Sequence, residues 1–169
     1  AQVDRLAAMV NDVLRSGSVA EQALRQEKRL RIDKLITEVV DDYILLAKTR
    51  SMTFTVDARP TTIRANRDMM RHVISNMVSN AVRHGDAGSV IKLTCDQHEL
   101  AIENACKPLT KQQLQRVFDP FYRSNAATKQ HADSSGIGLY TMKMLLDTKG
   151  LDYEFVPHGR GMRFVVRFE

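Results

Sequence analysis

The strand-like segments of this chain follow one another in adjacent pairs, and helical segments separate the pairs. Along the chain the order is helix, two strands, helix, two strands, short helix, loop, helix and two strands. The predicted strand pairs are MTFTVD (52–57) with TTIRA (61–65), SVIKLTCD (89–96) with ELAIEN (99–104), and LDYEFVP (151–157) with GMRFVVRF (161–168). Strands that follow each other directly favour antiparallel pairing, so this order predicts an α+β fold with a mostly antiparallel sheet covered on one face by helices.

One predicted helix carries an unusual polar stripe. Its apolar face recurs at three- and four-residue spacing from Met69 to Val82. Beside that face, within NMVSNAVRHG (76–85), stand Asn76, Asn80, Arg83 and His84. Asparagine is a mediocre helix former that prefers caps and turns, so two of them one turn apart suggest a function. The plain alternative is the solvated face of an amphipathic surface helix.

Capping residues predict where the helices begin and end. Asp33 and Asn66 can each cap a helix, and Asn66 would begin the helix with the polar stripe. Thr110 and Gln113 form a capping box for a short helix. The last helix opens on glycines and stops at Gly150, a residue type that suits a helix C-terminus.

Composition and charge exclude several classes of protein. The 169 residues are 43% hydrophobic and 27% charged, which is ordinary for a globular domain, and no apolar run approaches the ~18 residues of a membrane span. Cys95 and Cys106 do not make a disulfide framework and fit a reducing compartment. The net charge of +5 favours anionic ligands, but no helix-turn-helix or basic stripe with aromatics supports nucleic-acid binding. The start lacks an initiator Met and a signal peptide, which predicts a fragment of a longer protein.

The segment SSGIGL (134–139) opens the last predicted helix. The backbone N–H groups of a helix start, together with the positive end of the helix dipole, attract anions. Gly136 and Gly138 would let the chain approach an anionic group where a Cβ atom would collide. Glycines at a helix start are often only caps, so this motif by itself is weak evidence of a site.

Three segments, in this order and spacing, resemble the catalytic ATP-binding domain of a sensor histidine kinase of a bacterial two-component system. They are the polar stripe at 76–84, FDPFYR at 118–123 and SSGIGL at 134–139. The resemblance implies a Bergerat (GHKL) fold, a two-layer α/β sandwich, over residues 30–169. Residues 1–29 begin with a coiled-coil-like spacing and are similar to the end of the dimerisation and phosphotransfer helical hairpin with its linker.

The resemblance also implies ligands and roles for single residues. ATP and Mg²⁺ are the implied cofactors, with Asn80 as the metal ligand, and a carboxamide oxygen can bind Mg²⁺ without adding negative charge. Asn80 and Arg83 would be the catalytic residues, Arg83 through a guanidinium fork on phosphate oxygens. The other implied nucleotide contacts are Asn76, which supports Asn80, His84 at the base and sugar, Tyr122 and Arg123 near the ligand, and Ser135, Gly136, Gly138 and Leu139 at the phosphates.

In the resemblance, residues 119–135 form a mobile lid over the nucleotide. Phe118 and Phe121 are expected to anchor the near end of this lid and to pack in the core. Ser134 stands where the family often has a glycine, and a serine can still donate a hydrogen bond to a phosphate.

One family motif is altered in this chain. After the strand ELAIEN the family places Asp-x-Gly-x-Gly, whereas this chain reads NACKP over 104–108. Asn104 can accept the hydrogen bond of the adenine amino group, although without the charge that strengthens such bonds. Both glycines are missing, and Pro108 fixes its own φ angle. Cys106 is interpreted as a small apolar residue near the pocket, with redox sensing as the alternative.

No histidine precedes His72, so the phosphoacceptor histidine of such kinases is expected outside this chain. The resemblance implies transfer of the ATP γ-phosphate to that histidine and relay to an aspartate on a response regulator receiver domain. It also implies a homodimeric, membrane-anchored full-length protein whose catalytic domain faces the cytoplasm. Two alternatives stay open: a degenerate nucleotide-binding module of the same fold that regulates a partner without phosphotransfer, and a serine-directed anti-sigma kinase.

Overall fold

The computed structural model describes residues 25–123 and 136–168, and within them it has seven strands and four helices. The strands are β1 (Lys28–Arg31), β2 (Thr53–Ala58), β3 (Thr62–Ala65), β4 (Val90–Cys95), β5 (Glu99–Ala105), β6 (Tyr153–His158) and β7 (Gly161–Arg167). The helices are α1 (Ile32–Thr49), α2 (Arg67–His84), α3 (Lys111–Arg116) and α4 (Gly138–Lys149). The coiled-coil-like segment predicted near the N-terminus lies outside the described residues. None of the described helices combines the length and the apolar character that a membrane span requires.

The main sheet has five strands in the order β2-β4-β5-β7-β6. Neighbouring strands are antiparallel except β2 and β4, which run parallel with Thr53 opposite Val90. The predicted hairpins β4–β5 and β6–β7 are both confirmed. The architecture therefore confirms an α+β fold with a mostly antiparallel sheet.

The predicted pairing of β2 with β3 is wrong. After β2 the Arg59 N–H donates to the Cys95 carbonyl (2.9 Å), so the chain stays beside β4, and the next residue, Pro60, has no N–H group for a ladder. β3 instead pairs with β1 in a separate two-stranded sheet, where Leu30 is opposite Ile63. The sequence pattern misses β1 because its residues, KRLR, include a single apolar side chain.

Helices α1, α2 and α4 form the second layer of the sandwich. On β4 the side chains of Ile91 and Leu93 are buried while Val90 and Lys92 are exposed, which is the alternation of a sheet covered on one face. Helix α2 packs on both α1 and α4. The buried helix side chains of this core include Leu35, Ile36, Val39, Met69, Met70, Val73, Ile74, Met77, Val78, Met142 and Leu145. Helix α2 is therefore central, and its polar stripe is held by packing on both sides.

Two of the three predicted helix starts are confirmed. The Asn66 Oδ1 atom accepts a hydrogen bond from the Met69 N–H group (3.0 Å) and so caps α2. Thr110 and Gln113 form the predicted capping box of α3. Helix α4 stops at Gly150, whose φ of 78° is the left-handed conformation that ends many helices.

Asp33 does not cap α1, because the helix begins one residue earlier, at Ile32. Its carboxylate accepts hydrogen bonds from the Arg31 guanidinium (2.8 and 2.6 Å) and from the Thr61 N–H group (3.1 Å). The Arg31 hydrogen bond holds the pKa of the Asp33 carboxyl well below its usual range. This aspartate therefore ties the start of α1 to the approach of β3 instead of capping the helix.

Candidate functional site

The polar stripe of α2 lies at the border of the core. Asn76, Asn80 and Arg83 are half-buried and His84 is exposed, whereas the apolar positions between them are fully buried. Contacts of α2 with α1, α4 and β5 hold this stripe relative to the sheet. The stripe can therefore present polar atoms to a ligand while the helix stays packed.

Helix α4 begins against this stripe. A Cβ atom on Gly138 would lie 3.4 Å from the Asn76 Oδ1 atom, so the structure brings the glycine motif next to the asparagine stripe. The N-cap residue of α4, Ile137, offers no side-chain acceptor to the N–H groups of the first turn. That turn, with the positive end of the helix dipole, can attract an anionic group beside Asn76. Leu139, which follows, is half-buried and packs against the core.

Gly136 joins the glycine motif to the FDPFYR segment. Its φ is 73°, and a Cβ atom there would lie 3.0 Å from the Phe121 carbonyl carbon and 3.1 Å from the Tyr122 carbonyl oxygen. The Phe121 N–H group donates to the Gly136 carbonyl (3.0 Å). Both the backbone angle and the close approach therefore require glycine at this position.

The two phenylalanines of FDPFYR have different surroundings. Phe118 packs edge to face on Tyr153 and Phe164, with ring centroids 5.6 and 6.2 Å apart. Phe121 is 49% exposed and has a φ of 64°, which is uncommon for a residue other than glycine. Core packing is confirmed for Phe118 and is wrong for Phe121, because the left-handed turn directs its side chain away from the core.

Tyr122 and Arg123 are half-buried, and the Tyr122 backbone adjoins Gly136. The guanidinium carbon of Arg116, on α3, lies 4.9 Å from the centroid of the Tyr122 ring, in a cation–π contact. The structure thus brings Tyr122 to the glycine motif. Ser135 lies outside the described residues, and so do the other residues of the predicted lid from 124 onward.

The end of β5 adjoins the C-terminal end of α2. The Asp86 N–H group, two residues after α2, donates to the Ala105 carbonyl (2.7 Å). Asn104, the residue before Ala105, is only 9% exposed. This contact brings the predicted adenine residue close to the end of the helix that carries Arg83 and His84.

A glycine that the sequence interpretation missed shapes this strand end. Gly161 on β7 lies opposite Ala105, and a Cβ atom on it would lie 1.9 Å from the Asn104 carbonyl oxygen. The Cys106 N–H group donates to the Arg160 carbonyl (3.2 Å), so the pairing with β7 continues into the altered NACKP segment. A glycine in a strand can indicate a close backbone approach, and Gly161, the first residue of GMRFVVRF, was the available signal.

Both cysteines are held as packed thiols. Burial raises the pKa of Cys106, and a hydrogen bond with the Asn104 side chain partly opposes this rise. Burial also raises the pKa of Cys95 to about 11. Because the thiolate is the reactive form of cysteine, a raised pKa favours the apolar interpretation of Cys106 over redox sensing.

The donor set near Asn80 fits Mg²⁺ held together with a polyphosphate. In the described ranges 25–123 and 136–168, no three His, Cys, Asp or Glu side chains come together as a metal-binding group. Mg²⁺ keeps several waters and takes phosphate oxygens, so one or two protein oxygens suffice. The half-buried carboxamide of Asn80, one turn from Asn76, can supply such an oxygen.

The chain belongs to the family of histidine kinase-, DNA gyrase B- and HSP90-like ATPases, whose model matches residues 65–169. Among its relatives is the sensor histidine protein kinase HK06 of Streptococcus pneumoniae serotype 2 (strain D39 / NCTC 7466). The two are 28% identical over 166 residues, which cover 98% of this chain and 37% of that protein. The chain thus spans little more than a third of the relative's length.

Two of the solved structures with the same fold are of histidine kinases. Full-length ShkA, in complex with AMPPNP, matches with a TM-score of 0.79 and 21% identity over 97% of this chain and 35% of that one. Histidine kinase ThkA, in complex with the response regulator protein TrrA, matches with a TM-score of 0.73 and 18% identity over 99% of this chain and 48% of that one. The fold is therefore the ATP-binding GHKL fold of histidine kinase catalytic domains, as the resemblance implied.

Proposed function

We propose that this chain, with Mg²⁺, binds ATP and acts as the catalytic domain of a two-component sensor histidine kinase. The reaction is transfer of the ATP γ-phosphate to a histidine of the full-length protein. The observation that carries this proposal is the proximity of Gly138 to the Asn76 carboxamide, which sets an anion-attracting helix start beside a row of neutral oxygen donors. Phosphoryl transfer depends chiefly on positioning and charge neutralisation, and this arrangement suits both.

Each proposed contact has a chemical reason. Asn80 holds the metal ion with Asn76 as its support, and Mg²⁺, when bound, neutralises phosphate charge. Arg83 matches phosphate oxygens through its planar fork of donors. His84 contacts the base and sugar, and Asn104 accepts a hydrogen bond from the adenine amino group.

The remaining contacts come from the glycine motif and the lid. The backbone amides of residues 136–139 receive the distal phosphates, because a helix start donates N–H groups and favours negative charge. Tyr122 and Arg123 contact the nucleotide from the lid side, and Ser135 lies with the glycine motif at the phosphates. The contact of Gly136 with Phe121 and Tyr122 supports this, since it joins the lid segment to the phosphate-binding turn.

The whole protein is proposed by analogy with its relatives. Residues 1–29 would be the end of the dimerisation hairpin with its linker, and residues 30–169 the catalytic domain. A response regulator receiver domain would take the phosphate on an aspartate, and the ThkA structure with TrrA supports a partner of this kind. The full-length protein would be a homodimer anchored in the membrane, with this domain in the cytoplasm.

Calorimetric titration with ATP and ADP, with and without Mg²⁺, tests the nucleotide site. We expect Asn80→Ala to weaken Mg-ATP binding by about tenfold or more and to abolish the Mg²⁺ dependence, because it removes the protein oxygen at the metal. His72→Ala is the matched control, since His72 is exposed on the same helix two turns earlier. Folded protein that binds no nucleotide at millimolar concentration would contradict the proposal.

A degenerate module that regulates a partner without phosphotransfer is the second candidate. The continued pairing of Cys106 with Arg160, in place of the Asp-x-Gly-x-Gly turn, favours it. Incubating the full-length protein with γ-labelled ATP separates the two functions. Label on a histidine supports the kinase, whereas nucleotide binding without labelling supports the module.

Asn104→Asp is expected to tighten ATP binding severalfold, because a carboxylate makes a stronger hydrogen bond to the adenine amino group.

A further inference from the structure

Arg50 stands immediately after α1 and reaches the far end of α2. Its Nη1 atom donates hydrogen bonds to the carbonyl oxygens of Val82 and of Arg83, the latter at 3.0 Å. The Arg50 carbonyl in turn accepts from the Gly88 N–H group (3.0 Å). One half-buried residue thus holds the C-terminal turn of α2 through its side chain and the following loop through its backbone.

The C-terminal end of α2 packs tightly against the turn that carries Arg50, and its last carbonyl groups need hydrogen-bond donors from outside the helix. A Cβ atom on Gly85 would lie 2.6 Å from both the Ala81 carbonyl oxygen and the Met52 Cε atom, so the helix end presses against the turn that carries Arg50. The Gly85 N–H group satisfies the Ala81 carbonyl (2.9 Å). The next carbonyls along the helix have no partner within it, and Arg50 supplies one.

We propose that Arg50 is a positioning residue of the nucleotide site, acting through Arg83. It binds the backbone carbonyl of Arg83 itself, the residue whose guanidinium is assigned to the phosphates under the proposed function, on which this inference rests. Fixing that carbonyl fixes the Cα–Cβ direction from which the Arg83 side chain extends. A long side chain on a fixed backbone loses less freedom when it binds, so its contact with phosphate is stronger.

The charge of Arg50 acts in the same direction. The C-terminal carbonyls of a helix carry roughly half a negative charge, which opposes a polyphosphate nearby. A guanidinium hydrogen-bonded to two of those carbonyls offsets this charge. The effect grows with the charge of the ligand, so ATP depends on Arg50 more than AMP does.

A double-mutant cycle with nucleotide titrations tests the inference. Arg50→Gln is expected to weaken ATP binding about fivefold and AMP binding less than twofold, within the range of coupling between residues in contact. In an Arg83→Gln background the same change is expected to have a smaller effect, of about twofold or less, because only the charge of Arg50 then acts. Arg50→Lys keeps the charge but has a shorter side chain without the guanidinium fork, so ATP affinity should fall by an intermediate amount, about twofold. The cycle can be run with this variant if Arg50→Gln does not fold.

Arg71→Gln is the matched control, because it makes the same substitution on α2, where Arg71 pairs with Asp42 away from the helix end. It should leave the Kd for ATP unchanged, and thermal melting of each variant records stability separately. The inference is overturned if Arg50→Gln lowers the melting temperature without changing the Kd, or weakens ATP binding equally with and without Arg83. Wild-type protein that binds no ATP contradicts the proposed function itself, whereas binding that ignores Arg50 contradicts this inference alone.

Discussion

Two glycines at the candidate site show how differently its helical and sheet sides are built. A Cβ atom on Gly138, at the start of α4, would reach 3.4 Å from the Asn76 carboxamide oxygen, which is ordinary contact. A Cβ atom on Gly161, in β7, would reach 1.9 Å from the Asn104 carbonyl oxygen, which no side chain can occupy. The first glycine keeps space open next to polar groups, and the second lets two strands approach. Glycine thus leaves space beside polar side chains on one side and permits close backbone packing on the other.

The first turns of α2 and α4 differ in a similar way, since one is capped by a side chain and the other is not. The Asn66 side chain accepts a hydrogen bond from the first turn of α2, whereas Ile137, the N-cap residue of α4, offers no side-chain acceptor. The capped start of α2 contributes to stability. The start of α4 lies against Asn76, and under the proposed function its N–H groups are left to donate to phosphate. Substitutions at these positions should therefore separate stability from binding.

Gly161→Ala should have the largest effect, on stability. The added methyl group must displace the β5 backbone at Asn104, so we expect a loss of about 3 kcal/mol or more in the free energy of unfolding. Urea denaturation of the purified variant measures it. Gly159→Ala, in the turn before β7, is the control. A Cβ atom there meets open space, so the φ of 55° is the source of strain, and we expect a loss of about 1 kcal/mol. Equal losses for the two variants would contradict the close approach.

Gly138→Ala should reverse this pattern. A Cβ atom fits the space beside Asn76 and alanine is a better helix former than glycine, so stability should hold or rise slightly. The methyl group would stand where the phosphates approach, and we expect ATP binding to weaken about tenfold, or 1.4 kcal/mol. Calorimetric titration with Mg-ATP gives the measurement. Unchanged affinity would mean that the α4 start does not face the nucleotide.

Asn66→Ala should lower stability and leave binding alone. Removing the hydrogen bond to the Met69 N–H group is expected to cost about 1 kcal/mol, as for other helix caps. Asn66→Asp keeps the acceptor and should recover most of that loss. Thermal melting and ATP titration of both variants provide the test. A cap variant that stays as stable as wild type yet binds ATP more weakly would assign the start of α2 to the site.

Local patterns predicted the helical side well, and contacts between distant residues explain what they missed. The Asn76–Asn80 stripe, the Asn66 cap and the Thr110–Gln113 box each depend on residues within one or two turns. The strand β1 has a single apolar residue, which gives no periodicity, and its partner β3 lies more than thirty residues further along the chain.

Two residues beside the candidate site were missed for the same reason. Gly161 and Arg50 lie against atoms far away in sequence, the carbonyl oxygens of Asn104 and of Arg83. The altered NACKP segment was visible in the sequence, but its pairing with Arg160 was not. Spacing along the chain therefore predicts which residues share a helix face, and it does not predict which strands or turns come to lie beside that face.

Ser51→Gly should give the smallest effect, and a gain. Ser51 follows Arg50 in the turn behind the helical side and has a φ of 53°, a left-handed conformation in which a Cβ atom is strained. Glycine removes that strain, but part of the gain is lost because glycine has more conformational freedom in the unfolded chain. We therefore expect the free energy of unfolding to rise by about 0.5 kcal/mol and the melting temperature by about 1–2 °C. Ser51→Ala is the control and should give no gain, because alanine keeps the Cβ atom. If glycine stabilises the turn and leaves the Kd for ATP unchanged, the strain at Ser51 is not needed to hold Arg50 against the end of α2. If glycine weakens ATP binding instead, the rigidity of this turn belongs to the site.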